Sequence, residues 1–439
     1  MKTNRSKSNA RASASGVKGV RFKKTVLPNG VRVLTEAHPA SRAVVCGILV
    51  TGGTRDERSN EGGLAHFVEH LVFKRTKKRT AYEVARDMEA VGGDLNAYTS
   101  RESTIYVAHA LKDDLALSID VLADLVGNPV FDAGDIRKEK QVVIQEIRMA
   151  EDQLEDCIFD HYFERVYRDS PIGRPILGTI ESIGGMKREK IVGFHRRLYV
   201  PENLIVSVAG NVEHEVVVDL ALKHLKLKSG RGGEKTQDEA PVIHAFRDVI
   251  KRPSEQAHIL VGLPSADFRS RFRVESYIVN ALLGGGMTSR LYQTVREEKG
   301  LVYSIYSQLL TGRDTGLNLV YASAEPKKAP DVLELILKEV RRIKKEGLKK
   351  SELDFFKRQV RGQIVLGADD IESRMNALAV NEMVLGRYRS VDDIIRDVEN
   401  VSWDSVHEYL GENFDLDKLG VLLMGALPEG PTRKWLETL

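Results

Sequence analysis

The sequence predicts an α+β protein built as two similar halves, each a mainly antiparallel sheet with packed helices. Three observations predict it. The chain has 439 residues, more than one hydrophobic core comfortably supports, so two domains of roughly 200 residues each are expected. Residues 225–241, LKLKSGRGGEKTQDEAP, are polar, Gly-rich and aperiodic, which is how a linker reads. Lastly, 131–147 (FDAGDIRKEKQVVIQEI) aligns without gaps on 348–364 (LKKSELDFFKRQVRGQI) at a spacing of 217, and an amphipathic helix precedes each, 113–126 and 330–343. The expected organisation is a disordered basic tail at 1–21, a first α+β domain at 22–227, a linker at 228–240 and a second α+β domain at 241–439.

Order is expected to begin near Phe22. Leu27-Pro28-Asn29-Gly30 separates two short β-like runs, and Asn-Gly there is a hairpin signal. Ala43 to Val50 reads as the next strand, Gly62 to Phe73 as a helix, and Ala81 to Ala90 as another that stops at Gly92-Gly93. Asp94 to Ala110 alternates like a strand pair. In 113–126 the apolar residues Leu115, Ile119, Leu122 and Val126 share one helix face. A long helix follows from Ala133 to Met149, with a possible continuation to Tyr167.

Composition narrows the class. There are 66 Lys+Arg against 63 Asp+Glu, with 42% hydrophobic and 6% aromatic residues, which excludes collagenous, coiled-coil and wholly disordered chains. The charge is uneven: the first 24 residues hold eight basic side chains and no acid, leaving 58 against 63, or −5, for the rest. Basic charge on a Ser-containing tail rather than a folded surface gives no reason to expect nucleic acid. The tail's acid-poor composition also fits a transit peptide, beside the plainer reading of a loose terminus. No run approaches the roughly 20 apolar residues of a membrane span, and the N-terminus has no secretory apolar centre. Cys46 and Cys157 are too few and too far apart for a disulfide framework and read as packed thiols.

Chemistry concentrates in Gly62 to Leu71, GGLAHFVEHL. Residues four apart on a helix stand one above the other, so His66 and His70 project from one side and can grip one ion. Neutral imidazole suits zinc, and a catalytic zinc takes three protein ligands. Glu69 lies beside them, placed to accept a proton without binding the metal. The order H-x-x-E-H inverts the H-E-x-x-H signature; a pair of solvent-exposed histidines is the bland alternative. A third ligand is offered by Glu139 and Glu146, seven residues apart and so on one face of the helix expected there. Either carboxylate completes a two-His, one-Glu site, with the other supporting it.

H-x-x-E-H followed 76 residues later by Glu146 resembles the pitrilysin/insulinase zinc metallopeptidases, the inverzincins. The resemblance covers nearly the whole chain: GGDLNAYT (92–99), GRPILGT (173–179), FH (194–195), YVPEN (199–203), GNV (210–212), LGGGMTSRL (283–291) and REEKGLVY (296–303). At this length it is most similar to the short branch that holds the mitochondrial processing peptidase β subunit and bacterial relatives. The resemblance implies that His66, His70 and Glu146 bind one zinc per chain, that Glu69 is the general base and that Glu139 is the supporting acid. It implies that Asn96 and Ala97 lie on an edge strand that holds peptide as an added strand, and that Arg296 and Tyr303 act on the substrate backbone and the transition state. The two halves are expected to enclose a cleft or chamber. The expected activity is zinc endopeptidase cleavage of unfolded peptides or presequence-like segments, by a homodimer, in a bacterial cytoplasm or, alternatively, the mitochondrial matrix. A non-catalytic scaffolding homologue of the same fold is the competing reading.

Within the sequence the second half serves as a control. At the spacing of 217, His66, Glu69, His70 and Glu146 fall opposite Leu283, Gly286, Met287 and Gln363, which make no metal site. Gly284-Gly285-Gly286 lacks the Gly-Lys-Ser/Thr ending of a phosphate loop and reads as a place of close backbone packing or movement. Lys74 to Arg79, five cations in six residues, reads as a solvated loop, with attraction for acidic peptides or a membrane surface as the alternative. His109, His161, His195, His214, His244, His258 and His407 have no partner at metal-ligand spacing.

Overall fold

A computed structural model describes residues 20–227, 239–428 and 430. The basic tail up to residue 19 and the linker at 228–238 lie outside the described residues; Arg21, counted with the tail from sequence, opens the first strand.

The first half runs β1 (Arg21–Val26), β2 (Arg32–Ala37), β3 (Ala43–Val50), α1 (Leu64–Val72), α2 (Ala81–Glu89), β4 (Asp94–Thr99), β5 (Thr104–Leu111), α3 (Leu115–Gly127), α4 (Ala133–Asp152), α5 (Leu154–Val166), α6 (Ile180–Gly184), α7 (Arg188–Leu198), β6 (Leu204–Gly210) and α8 (His214–His224). The second runs β7 (Phe246–Lys251), β8 (Ala257–Pro264), α9 (Arg273–Leu283), a π-helical turn at Tyr292–Glu297, β9 (Val302–Thr311), β10 (Gly316–Ala324), α10 (Ala329–Glu346), α11 (Lys350–Gly367), α12 (Ile371–Leu385), α13 (Val391–Asn400), α14 (Trp403–Asn413) and β11 (Gly420–Gly425). Local signals act as expected. The Leu27–Gly30 turn closes with Gly30 N–H on the Leu27 carbonyl at 2.9 Å. Thr80 and Glu83 form a reciprocal capping box that starts α2. The long helix expected from 133 towards 167 is two helices, broken where Gln153 turns extended.

The strands form two sheets, ordered β1-β2-β6-β3-β5-β4 and β7-β11-β8-β10-β9. Each is antiparallel except for one parallel pair, β2 with β6 and β7 with β11. The two orders superpose as β2/β7, β6/β11, β3/β8, β5/β10 and β4/β9, so the repeat expected from α4 and α11 extends through the sheets. One detail differs from the sequence alignment. The spacing of 217 does not hold at α1, whose counterpart α9 ends at Leu283, so Gly286 and Met287 lie beyond that helix. The cause is the shorter connection from β8 to α9 than from β3 to α1.

Both faces of each sheet are covered, which explains why β3, AVVCGILV, is an apolar run without alternation. One face of the first sheet packs against α1, α3 and α8 through residues such as Val44, Ile48, Phe67, Leu122 and Val217. Its other face, with Leu34, Val45, Leu49, Ile105 and Val107, is closed by Met375, Leu378 and Ala379 of α12. In the second sheet Leu260, Leu319, Tyr321 and Leu422 are closed by Ile158, Tyr162 and Phe163 of α5. Each such side chain contributes roughly 1.5–3 kcal/mol. The two compact units are therefore discontinuous: 1–147, 176–237 and 366–392 form one, and 148–175, 238–365 and 393–439 the other. Residues 148–175 and 366–392 are thus counted opposite to the expected partition at the linker, because each sheet takes its second cover from the crossing helix of the other half.

That exchange is fastened chemically as well. In the first unit Arg374 of α12 grips Glu36 of β2 with two hydrogen bonds of 2.7 Å, and the Tyr388 hydroxyl donates a third at 2.9 Å. Burial alone would push the Glu36 carboxyl up; the bonds from Arg374, His38 and Tyr388 overcome it and hold the pKa at about 2. Among the described residues no helix is long and apolar enough to cross a membrane.

Candidate metal centre

The chain before α1 is unusual in burying charge: Arg55 is fully buried, and Asp56, Glu57 and Glu61 nearly so. The Glu57 carboxylate accepts from the Gly63 N–H at 3.1 Å and the Ala65 N–H at 2.7 Å, so it satisfies free amides at the start of the helix and suits the positive end of its dipole. Arg197 clasps Glu61 at 2.6 Å. Gly63 takes φ 81°, and a Cβ there would stand 2.5 Å from the Leu177 carbonyl, so only glycine lets the start of α1 approach that backbone. Leu64, Phe67, Val68 and Leu71 are buried in the core. His66, Glu69 and His70 are left on the opposite side, facing α4.

His66, His70 and Glu146 come together, with their ligand atoms all within 4.8 Å of one another. Glu146 Oε2 lies 3.5 Å from His70 Nε2 and 4.0 Å from His66 Nε2. That oxygen is buried and has no hydrogen-bond partner. A buried, unpartnered carboxylate oxygen facing two imidazoles is what a cation would satisfy, and two nitrogens with one oxygen suit zinc. Burial, with His70 nearby, lowers the His66 pKa to about 4, so its ring is a neutral donor at ordinary pH. For His70 burial opposes charge, but the hydrogen bond to Glu139 and the charges of Glu146, Glu139 and Glu69 outweigh it and raise the pKa.

The structure distinguishes the two carboxylates of α4. Glu146 faces both imidazoles, whereas Glu139, 4% exposed, stands behind His70 and accepts its Nδ1–H at 2.9 Å. This bond assigns the proton to Nδ1 and leaves Nε2 as the donor to a metal. The other Glu139 oxygen meets the Lys74 ammonium at 2.8 Å. Glu69 has one oxygen held by the Thr99 hydroxyl. Burial raises the Glu69 pKa, with the Thr99 bond and the His70 charge opposing.

Two contributors had no signal in the sequence, Lys74 and Thr99. The expectation of a solvated loop at 74–79 also changes. Arg75 pairs with Asp135 at 3.3 Å, Lys78 with Asp120 at 2.8 Å, and Arg79 reaches Asp87, Asp120 and Asp124. Most of the run is thus tied to carboxylates of α2, α3 and α4 rather than presented to a partner.

Asn96 and Ala97 lie on β4, at the end of its sheet, and Asn96 is exposed. The Asn96 side-chain oxygen accepts from the Ala97 N–H at 2.8 Å and its amide donates to the Tyr98 hydroxyl at 2.9 Å. The same strand ends at Thr99, the partner of Glu69. Arg296 and Tyr303 belong to the second unit and meet each other there: the guanidinium lies 5.1 Å from the Tyr303 ring centre and 4.9 Å from that of Tyr292. Tyr303 is 80% exposed at the start of β9. Close packing explains Gly284, whose carbonyl accepts from Ser307 of β9 at 3.0 Å. Cys46 and Cys157 are free and buried, and burial pushes the Cys46 thiol up to about 12. Among the described residues no other His, Cys, Asp or Glu group has metal-binding geometry.

Comparisons with known proteins bear on the family and the fold. Residues 32–180 match the family Insulinase (Peptidase family M16), and 185–360 match Peptidase M16 inactive domain. An uncharacterized zinc protease of Mycobacterium leprae is 37% identical over 407 residues, covering 90% of this chain and 91% of the relative. One of Bacillus subtilis is 32% identical over 396 residues, covering 90% and 96%. In solved structures the fold recurs in a protease from Helicobacter pylori, with TM-score 0.86 at 23% identity over 92% of this chain and 99% of that one. It recurs also in a peptidase M16 inactive domain from Pseudomonas fluorescens, with TM-score 0.86 at 18% identity over 93% and 98%. The chain belongs to the insulinase family of peptidases, peptidase family M16.

Proposed function

We propose that this chain is a zinc-dependent endopeptidase that cleaves unfolded peptides or presequence-like segments. The observation that carries the reading is the convergence of His66, His70 and the unpartnered Glu146 oxygen beside Glu69. His66, His70 and Glu146 would hold one zinc ion per chain. Zinc so held supplies a water acidified towards neutrality and polarises the scissile carbonyl. Glu69, held by Thr99, would take a proton from the attacking water and hand it to the leaving amine. Its raised pKa makes it a stronger base than an exposed carboxylate.

A peptide added to the free edge of β4 would pair with the backbone at Asn96 and Ala97, releasing the Asn96 oxygen from the Ala97 N–H. Main-chain pairing selects extended, unfolded substrates with little side-chain preference. The excess of acid beyond the first 24 residues, −5, favours basic peptides. Arg296 and Tyr303 would supply the second half's share, the tyrosine hydroxyl stabilising the developing oxyanion. The zinc-protease names of the relatives favour this activity, and their bacterial sources favour a bacterial cytoplasm. Because one chain carries every residue the reaction needs, no complementary second chain is required, which favours a homodimer over a heterodimer. The scaffolding alternative would expect a lost ligand, and none is lost.

The test compares the wild-type chain with Glu69→Gln on an unstructured fluorogenic peptide, with and without a chelator, beside zinc content. The substitution should lower kcat/KM by about 10²–10⁴-fold and leave one zinc per chain. A wild-type chain without zinc, or a Glu69→Gln chain with undiminished cleavage, sinks the reading. Gel filtration with light scattering reads the dimer.

A further inference from the structure

We propose that Lys74 is a positioning residue of the metal centre: it fixes Glu139, and Glu139 fixes His70. This rests on the zinc-site reading above and uses an arrangement that reading does not need.

Glu139 is 4% exposed, and each of its oxygens has one donor, His70 Nδ1–H at 2.9 Å and the Lys74 ammonium at 2.8 Å. Among the described residues no Lys or Arg other than Lys74 ion-pairs with Glu139. Lys74 follows His70 by four residues, just beyond the end of α1. There its N–H still bonds the Leu71 carbonyl at 3.2 Å, so the turn continues and sets Lys74 over the side that carries His70. The side chain is 37% exposed: its stem reaches in from the surface and its head ends on the buried carboxylate. A carboxylate held at one oxygen can rotate away from the imidazole; one held at both presents a fixed acceptor to Nδ1, and with it a fixed ring plane at Nε2.

The second half separates this pair from general support of the fold. At the spacing of 217 between α4 and α11, Glu139 corresponds to Phe356, which is buried. The half without the metal ligands thus has no carboxylate at the Glu139 position and no Lys–Glu pair there. A pair needed to fold the repeat would be kept in both.

The experiment measures zinc affinity of the full-length chain by chelator competition, with the visible spectrum of the cobalt-substituted protein as a second readout. Lys74→Met should weaken zinc binding about 10–100-fold and shift the cobalt bands, and Lys74→Arg should stay within about threefold of wild type, since it restores the charge. Because Lys74 acts through Glu139, Lys74→Met/Glu139→Gln should bind no more weakly than Glu139→Gln alone. Zinc affinity of Lys74→Met within twofold of wild type, or losses from the two substitutions that multiply, overturns the proposal. Circular dichroism reads folding; if Lys74→Met does not fold, Lys74→Gln is measured against the same limits. A wild-type chain that binds no zinc defeats the metal-site reading itself, whereas a zinc-binding wild type with an indifferent Lys74→Met defeats only this one.

Discussion

The two halves have the same strand order, the same single parallel pair and the same borrowed helix over the second face of the sheet, yet among the described residues only the first brings His and Glu side chains together in a geometry that could hold a metal. At the positions of Glu139 and Glu146 the second half has Phe356, 3% exposed, and Gln363. The difference shows how little of the chain the chemistry occupies. The repeat is held by apolar faces, which both halves keep, while a handful of side chains on α1 and α4 turn one copy into a site. Those side chains oppose folding where they are buried, because an unpaired buried polar atom costs of order 1–3 kcal/mol. Glu139 is relieved by two donors, whereas His66 Nδ1 and Glu146 Oε2 are buried without a hydrogen-bond partner. Replacing Glu139 with phenylalanine, as the second half does, is the cheaper solution for a fold and gives up the support of an imidazole.

The sharpest way to break the contrast is to ask whether the second half takes part in chemistry at all. Tyr303→Phe removes one hydroxyl from a side chain that is 80% exposed, so the fold should be almost unaffected. If that hydroxyl stabilises the oxyanion, kcat should fall about 10²–10³-fold while zinc content stays unchanged. Undiminished kcat would mean that the metal-free half contributes surface and no reacting group.

The borrowed helices differ in how they are held, which gives the next largest effect. α12 sits on the first sheet through the buried Glu36–Arg374 pair, whereas α5 sits on the second through Tyr162, Phe163 and Tyr167, and its ion pair, Arg165–Asp248, is partly exposed. Arg374→Met leaves a buried carboxylate uncompensated and should cost about 3–5 kcal/mol; adding Glu36→Gln should recover much of it. The pH dependence has a definite sign. Glu36 has a folded pKa of about 2, below its ordinary 4.5, so its stabilisation is complete above 4.5 and is lost as pH falls from there towards 2. Hydrogen exchange at pH 3 against pH 7 should show α12 losing protection before α5. Equal loss in both would remove the distinction between an ionic and an aromatic fastening.

Much of the site was legible because helical spacing is rigid. His66 and His70 at four residues, and Glu139 and Glu146 at seven, have their relative directions fixed by 3.6 residues per turn. The strand pair at 94–110 followed from alternation and the two α+β halves from length, linker and repeat, whereas the edge position of Asn96 and Ala97 came only from the family resemblance. Lys74 and Thr99 were not legible, since their partners lie 65 and 30 residues away and spacing does not say which carboxylate a distant side chain will meet. The helix exchange was hidden for a related reason. α12, IESRMNALAVNEMVL, has almost no amphipathic pattern and α5 only a weak one, so neither sequence says which sheet its helix covers. The apolar run of β3 fits two covered faces. It carried no information about the origin of the second cover.

The smallest effect tests that cover directly. In each sheet a central-strand glycine makes room for the borrowed helix: Gly47 of β3 for Met375, and Gly262 of β8 for Tyr162. A Cβ on Gly262 would stand 2.7 Å from Tyr162 Cζ and would overlap its hydroxyl, while Gly420, its partner on β11, closes on the same ring. The ring is fully buried and its hydroxyl has no hydrogen-bond partner, so nothing nearby can yield cheaply. Gly262→Ala should therefore destabilise by about 1–3 kcal/mol, a fall in melting temperature of about 2–4 °C per kcal/mol for a unit of this size. At Gly47 the obstacle is the sulfur and the terminal methyl of Met375, the latter 3.0 Å away, and a thioether repacks readily. Gly47→Ala should cost less than about 1 kcal/mol, partly offset because alanine loses less backbone freedom than glycine on folding. Tyr162→Phe removes the overlapping oxygen but leaves Cζ at 2.7 Å and a Leu319 methyl at 2.5 Å, so it should relieve Gly262→Ala only in part and leave Gly47→Ala untouched. If the two alanine variants melt together, the second half is not held by a ring wedged between two glycines, and the exchanged helices are fastened alike.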